Sequence, residues 1–279
     1  MRTALCFYGK IGGSRGKNGK GGCDEILDVS FKHAEKNIIN INNKLDVFIH
    51  CWDVDYEEKV KALYRPIKCQ FEDQISFDIP SHVKSVGDPH RNNNHYSRWY
   101  STKQVLKMRR DFEKANNFRY DCVMALRFDL AWETPVIFDK FDMDYFYVSY
   151  LCRYWYLGKD KQRKMLKPEQ YWHLRETIDF ELKHEHMGYG GDTGTSRGLS
   201  DVFFFTKSEY VDKIQNVFDD LDEYTKSKHL RRLSSHQLLL HRLQETELID
   251  KLRFAFHFLD ECAVTRMWYK KFHQGKYFK

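Results

Sequence analysis

The chain lacks most of the features that would settle its class at a glance. No apolar run approaches the roughly 20 residues needed to cross a bilayer, so no membrane-spanning segment is expected. The seven cysteines form no CxxC pair, and Cys6, Cys51, Cys69, Cys122 and Cys152 stand singly in apolar or strand-like surroundings. That scatter excludes a zinc ribbon and a disulfide framework, and it sets a reducing, cytoplasmic environment as the expectation. The opening "MRTALCFYGK" has too short an apolar stretch for a signal peptide and reads as a first core strand. Neither a GxGxxG fingerprint nor a Walker A spacing occurs. The net charge of +6 is not gathered into one long basic run, and no nucleic-acid recognition motif accompanies it. An enzyme with an anionic substrate accounts for such a charge as well as nucleic acid does. No internal repeat, low-complexity tract or long linker splits residues 1–279, so one domain is expected.

What the chain does carry is alternation. Strand candidates recur at residues 3–9, 44–52, 67–72, 120–132, 145–151 and 200–206, with helical patterns between them. Ile26, Val29, Ala34 and Ile38 suit one helix face, and Tyr100, Val105, Met108 and Phe112 suit another. Val211, Ile214, Phe218 and Leu221 repeat the spacing, and a last helix starts from a cap at Ser234 or Ser235. Strands alternating with helices predict an α/β fold, Rossmann-like, with a mainly parallel sheet flanked by helices. Such sheets bind ligands beyond the carboxyl ends of their strands, which makes those ends the place to look.

Three strand ends carry polar residues that a core does not need. The first runs into "YGKIGGSRGKNGKGG", where Gly9 opens a glycine-rich loop holding Lys10, Arg15, Lys17 and Lys20. Glycines permit close backbone approach, and the cations could hold a diphosphate. The second strand ends with His50, Trp52, Asp53 and Asp55. The fourth, "YDCVMALRFDLAW", finishes on Arg127 and Asp129, which on a continuous strand would share one face. A carboxylate placed there can ligate Mn²⁺ or Mg²⁺, and the guanidinium can take a phosphate or lock the carboxylate. A purely structural Arg–Asp pair is the plainer alternative. An aromatic content of 16% suits stacking on sugar faces or an aromatic core.

Five segments, "ALCFYGKIGG", "LDVFIHCWD", "YSRWYSTKQVLKM", "YDCVMALRFDL" and "LSDVFFF", occur in the order and approximate spacing of a group of sugar-nucleotide glycosyltransferases. Over residues 3–206 the chain resembles the exostosin-like glycosyltransferases of large algal viruses. The resemblance implies a GT-A-like fold, with a nucleotide-sugar half at 1–135 and an acceptor half at 136–279. It also implies a UDP-sugar donor, with xylose among the sugars to consider, and a glycan hydroxyl as acceptor, in the setting of viral capsid glycan synthesis.

Asp129 would then stand in for the usual DxD motif, with Arg127 where an acid is often found. The literal DxD at Asp142 and Asp144 precedes a strand and reads as a decoy. Ser97, Tyr100, Ser101 and Lys103 would border the nucleotide, with Tyr100 either stacking on uracil or belonging to the helix-face core. Asp201, and after it Asp192, are candidates for the base that takes the acceptor proton. His236 could reach a metal or phosphate, although a capping role suits it better. A nucleotidyl- or phosphotransferase and a non-catalytic carbohydrate-binding protein are the competing expectations.

Overall fold

The computed structural model describes residues 1–12, 23–83, 90–150, 199–226, 233–258 and 261–265. Its centre is a strand buried along almost its whole length, β1 (Thr3–Gly9). Alternation along β1 divides the core in two: Ala4, Cys6 and Tyr8 pack on one face of the sheet, and Leu5 and Phe7 on the other. Burial on both faces is the reason this segment reads as a continuous apolar run.

β2 (Leu45–Cys51) and β4 (Cys122–Arg127) flank β1, and both are parallel to it. β3 (Lys68–Phe71) pairs with β2 in parallel at the edge. On the other side, β7 (Phe203–Thr206) runs antiparallel to β4 and to β6 (Phe146–Tyr150), and β8 (Leu252–His257) is parallel to β6. The resulting seven-stranded mixed sheet, ordered β3-β2-β1-β4-β7-β6-β8, crosses from the 1–135 stretch into the 136–279 stretch through the β4–β7 pairing. The α/β expectation is met, with helices on the sheet. Among the described residues, no helix is long and apolar enough to cross a membrane.

Three expectations change. Residues 120–132 do not form one strand: the backbone turns at Phe128 and Asp129, and β5 (Leu130–Trp132) leaves to pair with β9 (Cys262–Val264) in a separate two-stranded sheet. Asp129 is therefore off the strand, so two-residue alternation does not govern its direction. The strand expected at 200–206 starts at Phe203, which leaves Asp201 in the approach to it. The helix after β7 breaks into Ser208–Ile214, a 3-10 turn at Gln215–Phe218, and Leu221–Lys226.

α1 (Asp24–Ala34) and α2 (Glu57–Tyr64) cover the Leu5/Phe7 face, where Leu27, Val60 and Tyr64 join Trp132 and Val264. α3 (His90–Ala115) lies across the other face with Val105 and Leu106 inward, beside Leu238, Leu239 and Leu243 of the Ser235–Glu245 helix. Near its carboxyl end, α3 carries a buried ion cluster. Arg109, 0% exposed, donates to Glu113 at 2.6 Å and to Asp212 at 2.8 Å; Glu113 also accepts from Ser208 Oγ and from the Tyr120 N–H. Removing one partner of a buried pair leaves the other charge uncompensated, which costs about 3–5 kcal/mol. Glu113→Ala should lose stability on that scale, read as a lower urea midpoint at neutral pH; an unchanged midpoint would show that the cluster contributes nothing.

Candidate functional site

The chain order reverses between β1 and β4, since β1 lies next to both β2 and β4. The crevice outside the carboxyl ends of strands at such a switch point is where open α/β sheets hold ligands. The register brings Gly9 level with Cys51, and Tyr8 level with Arg127. Three of the polar strand ends singled out in the sequence therefore meet at this edge.

The floor is pinned by α3. The Ser101 hydroxyl accepts the Gly9 N–H at 2.7 Å and lies 2.8 Å from His50 Nδ1, while His50 Nε2 lies 2.8 Å from Glu72 Oε1. A serine, a histidine and an acid in hydrogen-bonded sequence suggest a nucleophile relay. Ser101 and His50 are both fully buried, however, and Ser101 Oγ is taken by a backbone N–H, so the arrangement is a clamp. Burial lowers the His50 pKa despite the opposing pull of Glu72. The neutral ring can then accept from Ser101 and donate to Glu72, which suits it to a fixed structural post.

The glycine turn is held just as closely. Gly9 and Gly12 adopt φ +94 and +95, where a side chain is strained. Asp53 Oδ2 accepts the Ile11 N–H at 2.7 Å, and burial raises the Asp53 pKa. A Cβ at Gly12 would stand 3.0 Å from Asp129 Cβ, so loop and β4 end are in direct contact. Arg15 and Lys17, as well as Lys20, lie outside the described residues, as does Asp192.

Arg127 and Asp129 form a two-point pair, Nε to Oδ1 and Nη2 to Oδ2, both at 2.7 Å. The Asp129 side chain is 1% exposed and that of Arg127 is 29% exposed. Burial opposes the charge on Arg127, but Asp129, Asp201 and Tyr8 outweigh it and raise the pKa. Asp201 sits beside this pair. Its carboxylate is 3.1 Å from Arg98 Nε and 3.6 Å from His236 Nδ1, and its carbonyl accepts from Tyr8 and Arg98. His236 Nδ1 is also 2.6 Å from the Leu199 carbonyl, and His95 Nδ1 is 2.8 Å from Ser235 Oγ.

Several residues expected at the nucleotide are engaged elsewhere. Lys103 pairs with Asp219 on the surface. Ser97 is buried and accepts from Gln74. Tyr100 stacks on Trp52, which is 4% exposed, and meets Phe77 and Phe218 edge-on or tilted, so both rings belong to an aromatic wall. Asp142 accepts the Asp144 N–H, and Asp144 pairs with Lys207; this DxD opens β6 at the amino edge of the sheet, away from the crevice. Arg98, Tyr8 and Glu72 were not singled out in the sequence. Arg98 is the one with a visible signal, a cation set between aromatic residues in "YSRWYS".

A divalent ion does not fit these donors. Both Asp129 oxygens are bound by Arg127 in a closed position, and His236 is directed to a carbonyl. Among the described residues no group of three or more His, Cys, Asp or Glu side chains converges on a metal position. No protein-family model matches the chain, and no curated protein matches it in sequence.

Burial alone would raise the Asp201 carboxyl, but the positive charges of His236, Arg98, Arg127 and His95 outweigh it and hold it at about 2. A general base works best with a pKa near the operating pH. The ion pair with Arg98 therefore suits Asp201 better to holding that guanidinium than to accepting a proton. A carboxyl with a depressed folded pKa gives its full stabilisation above the unfolded value of about 3.9. That stabilisation is lost as pH falls through about 2. Asp201→Asn should cost about 2 kcal/mol at neutral pH and close to nothing near pH 2. Urea unfolding across that range checks the sign, and a penalty independent of pH would contradict it.

Proposed function

We propose that the chain is a glycosyltransferase of the GT-A type, transferring one sugar from a UDP-sugar to a glycan hydroxyl. The observation that carries this reading is the convergence at one switch-point crevice of a glycine turn, an Arg–Asp pair with its cation half exposed, and the Arg98–Asp201 pair. The five-segment resemblance points the same way, because the quoted motifs contain these residues. The aromatic surplus, which favoured a carbohydrate-binding module, is among the described residues largely core: Trp52, Trp99 and Trp132 are all buried.

In this reading the acceptor oxygen attacks the anomeric carbon while the bond to the UDP oxygen breaks. The electron pair leaves with the diphosphate, and the hydroxyl proton passes to a carboxylate; with Asp201 engaged by Arg98, the second candidate, Asp192, is the one to test in that role. Charge builds on the departing diphosphate, so fixed cations at the strand ends supply the largest lowering of the barrier. Gly9 and Gly12 let the backbone come close to it. Xylose is the first donor sugar to test, and a viral capsid glycan the first acceptor class.

Incubating the full chain with individual UDP-sugars and glycan acceptors should release free UDP with one preferred donor. Release of pyrophosphate from a nucleoside triphosphate would instead identify a nucleotidyltransferase. Asp129→Asn should lower turnover on the order of 100-fold, the scale seen when one preorganised charge contact is removed. Wild-type turnover in that variant would eliminate the Arg127–Asp129 pair from the site.

A further inference from the structure

We infer that this site holds the donor diphosphate without a divalent ion, with the Arg127 guanidinium as the cation and Asp129 as its positioning residue. The inference rests on the nucleotide-sugar reading above. The resemblance leads one to expect a carboxylate that faces a metal, whereas Asp129 faces its own neighbour through both oxygens. An ion could use that carboxylate, itself 1% exposed, only by displacing the Arg127 guanidinium that binds both of its oxygens.

The pair leaves Arg127 well prepared for a second anion. A guanidinium carries five N–H donors in a rigid fork. Asp129 takes the Nε donor and one on Nη2, and among the described residues Nη1 has no protein partner. The free donors lie on the edge turned away from Asp129, and the side chain is 29% exposed while its partner is closed off. The geometry is that of a fork held at one edge and presented at the other, the form in which arginine binds phosphate.

Its position is fixed from several sides. The Arg127 N–H donates to the Val202 carbonyl at 3.2 Å, and the Asp129 carbonyl accepts from Thr265 at 2.8 Å. Gly12 abuts the Asp129 carboxylate directly. A phosphate over the glycine turn would meet Arg127, and Lys10 is exposed on the same turn. Lys10 supplies a positive charge beyond the two closed pairs Arg127–Asp129 and Arg98–Asp201. Asp129 then does for Arg127 what coordinating carboxylates do for a metal: it sets where the positive charge stands.

Calorimetric titration of the full chain with UDP, in EDTA and again in Mn²⁺, is the test. UDP should bind in EDTA with an affinity unchanged by Mn²⁺. Arg127→Met should weaken that binding roughly 10- to 100-fold, the worth of one charged hydrogen-bonded contact. Arg127→Lys should restore part of the loss, because the charge returns without the fork. Binding that requires Mn²⁺ would overturn the metal-free assignment and leave the glycosyltransferase reading standing. UDP binding in neither condition would overturn both. Binding in EDTA that Arg127→Met leaves intact would overturn the role of Arg127, and the wild-type comparison stands even if that variant fails to fold.

Discussion

The salt link between Arg127 and Asp129 closes the point where one strand ends and the chain passes to a different sheet. Strand β4 cannot continue there, because β5 must reach β9. The turn at Phe128 and Asp129 exposes the edge of the central sheet, and the paired side chains seal it. A carboxylate this enclosed is stable only with a partner that satisfies both oxygens, and a guanidinium two residues away does so with matched geometry. The glycine turn then rests against the sealed carboxylate, and the approach to β7 bonds to the Arg127 backbone. Three segments distant in sequence meet at this ion pair.

Around this pair the site is built from posts more than from free reagents. Ser101 and His50, with Glu72, tie α3 to the ends of β1 and β2. Asp53 holds the turn through Ile11, and Asp201 holds Arg98. Each carboxylate has a named cation or N–H to satisfy, so the crevice is preorganised before any ligand arrives. Such an arrangement suits a reaction whose main demand is stabilisation of a charged leaving group.

Much of the fold was legible because its signals are local. The apolar runs at Thr3–Gly9 and Leu45–Cys51 are buried on both faces, and no other element type accommodates them at that length. The break inside "YDCVMALRFDLAW" was not legible, since Phe128, Leu130 and Trp132 continue the hydrophobic pattern although they serve a second sheet. β8 and β9 were missed for a related reason: Arg253 interrupts one pattern, and the other is three residues long. At the site, residue types at strand ends pointed to the right edge of the sheet. Their partners were hidden, because the pairing of Arg98 with Asp201 or of Lys103 with Asp219 depends on contacts more than 100 residues apart.

α3 carries Ser101 under the crevice and Arg109 in the buried ion cluster, eight positions along one helix. At about 1.5 Å per residue these two anchors lie roughly 12 Å apart on a rigid rod. The rod is clamped at both places, so neither end can shift without levering the other. The height of the crevice floor is thus set in part from the opposite edge of the sheet. Substitutions around Asp212 or Ser208, which touch no proposed ligand, would be transmitted to the Gly9 turn as displacement instead of being absorbed locally. The region that tunes this site is accordingly larger than the region that contacts what it binds.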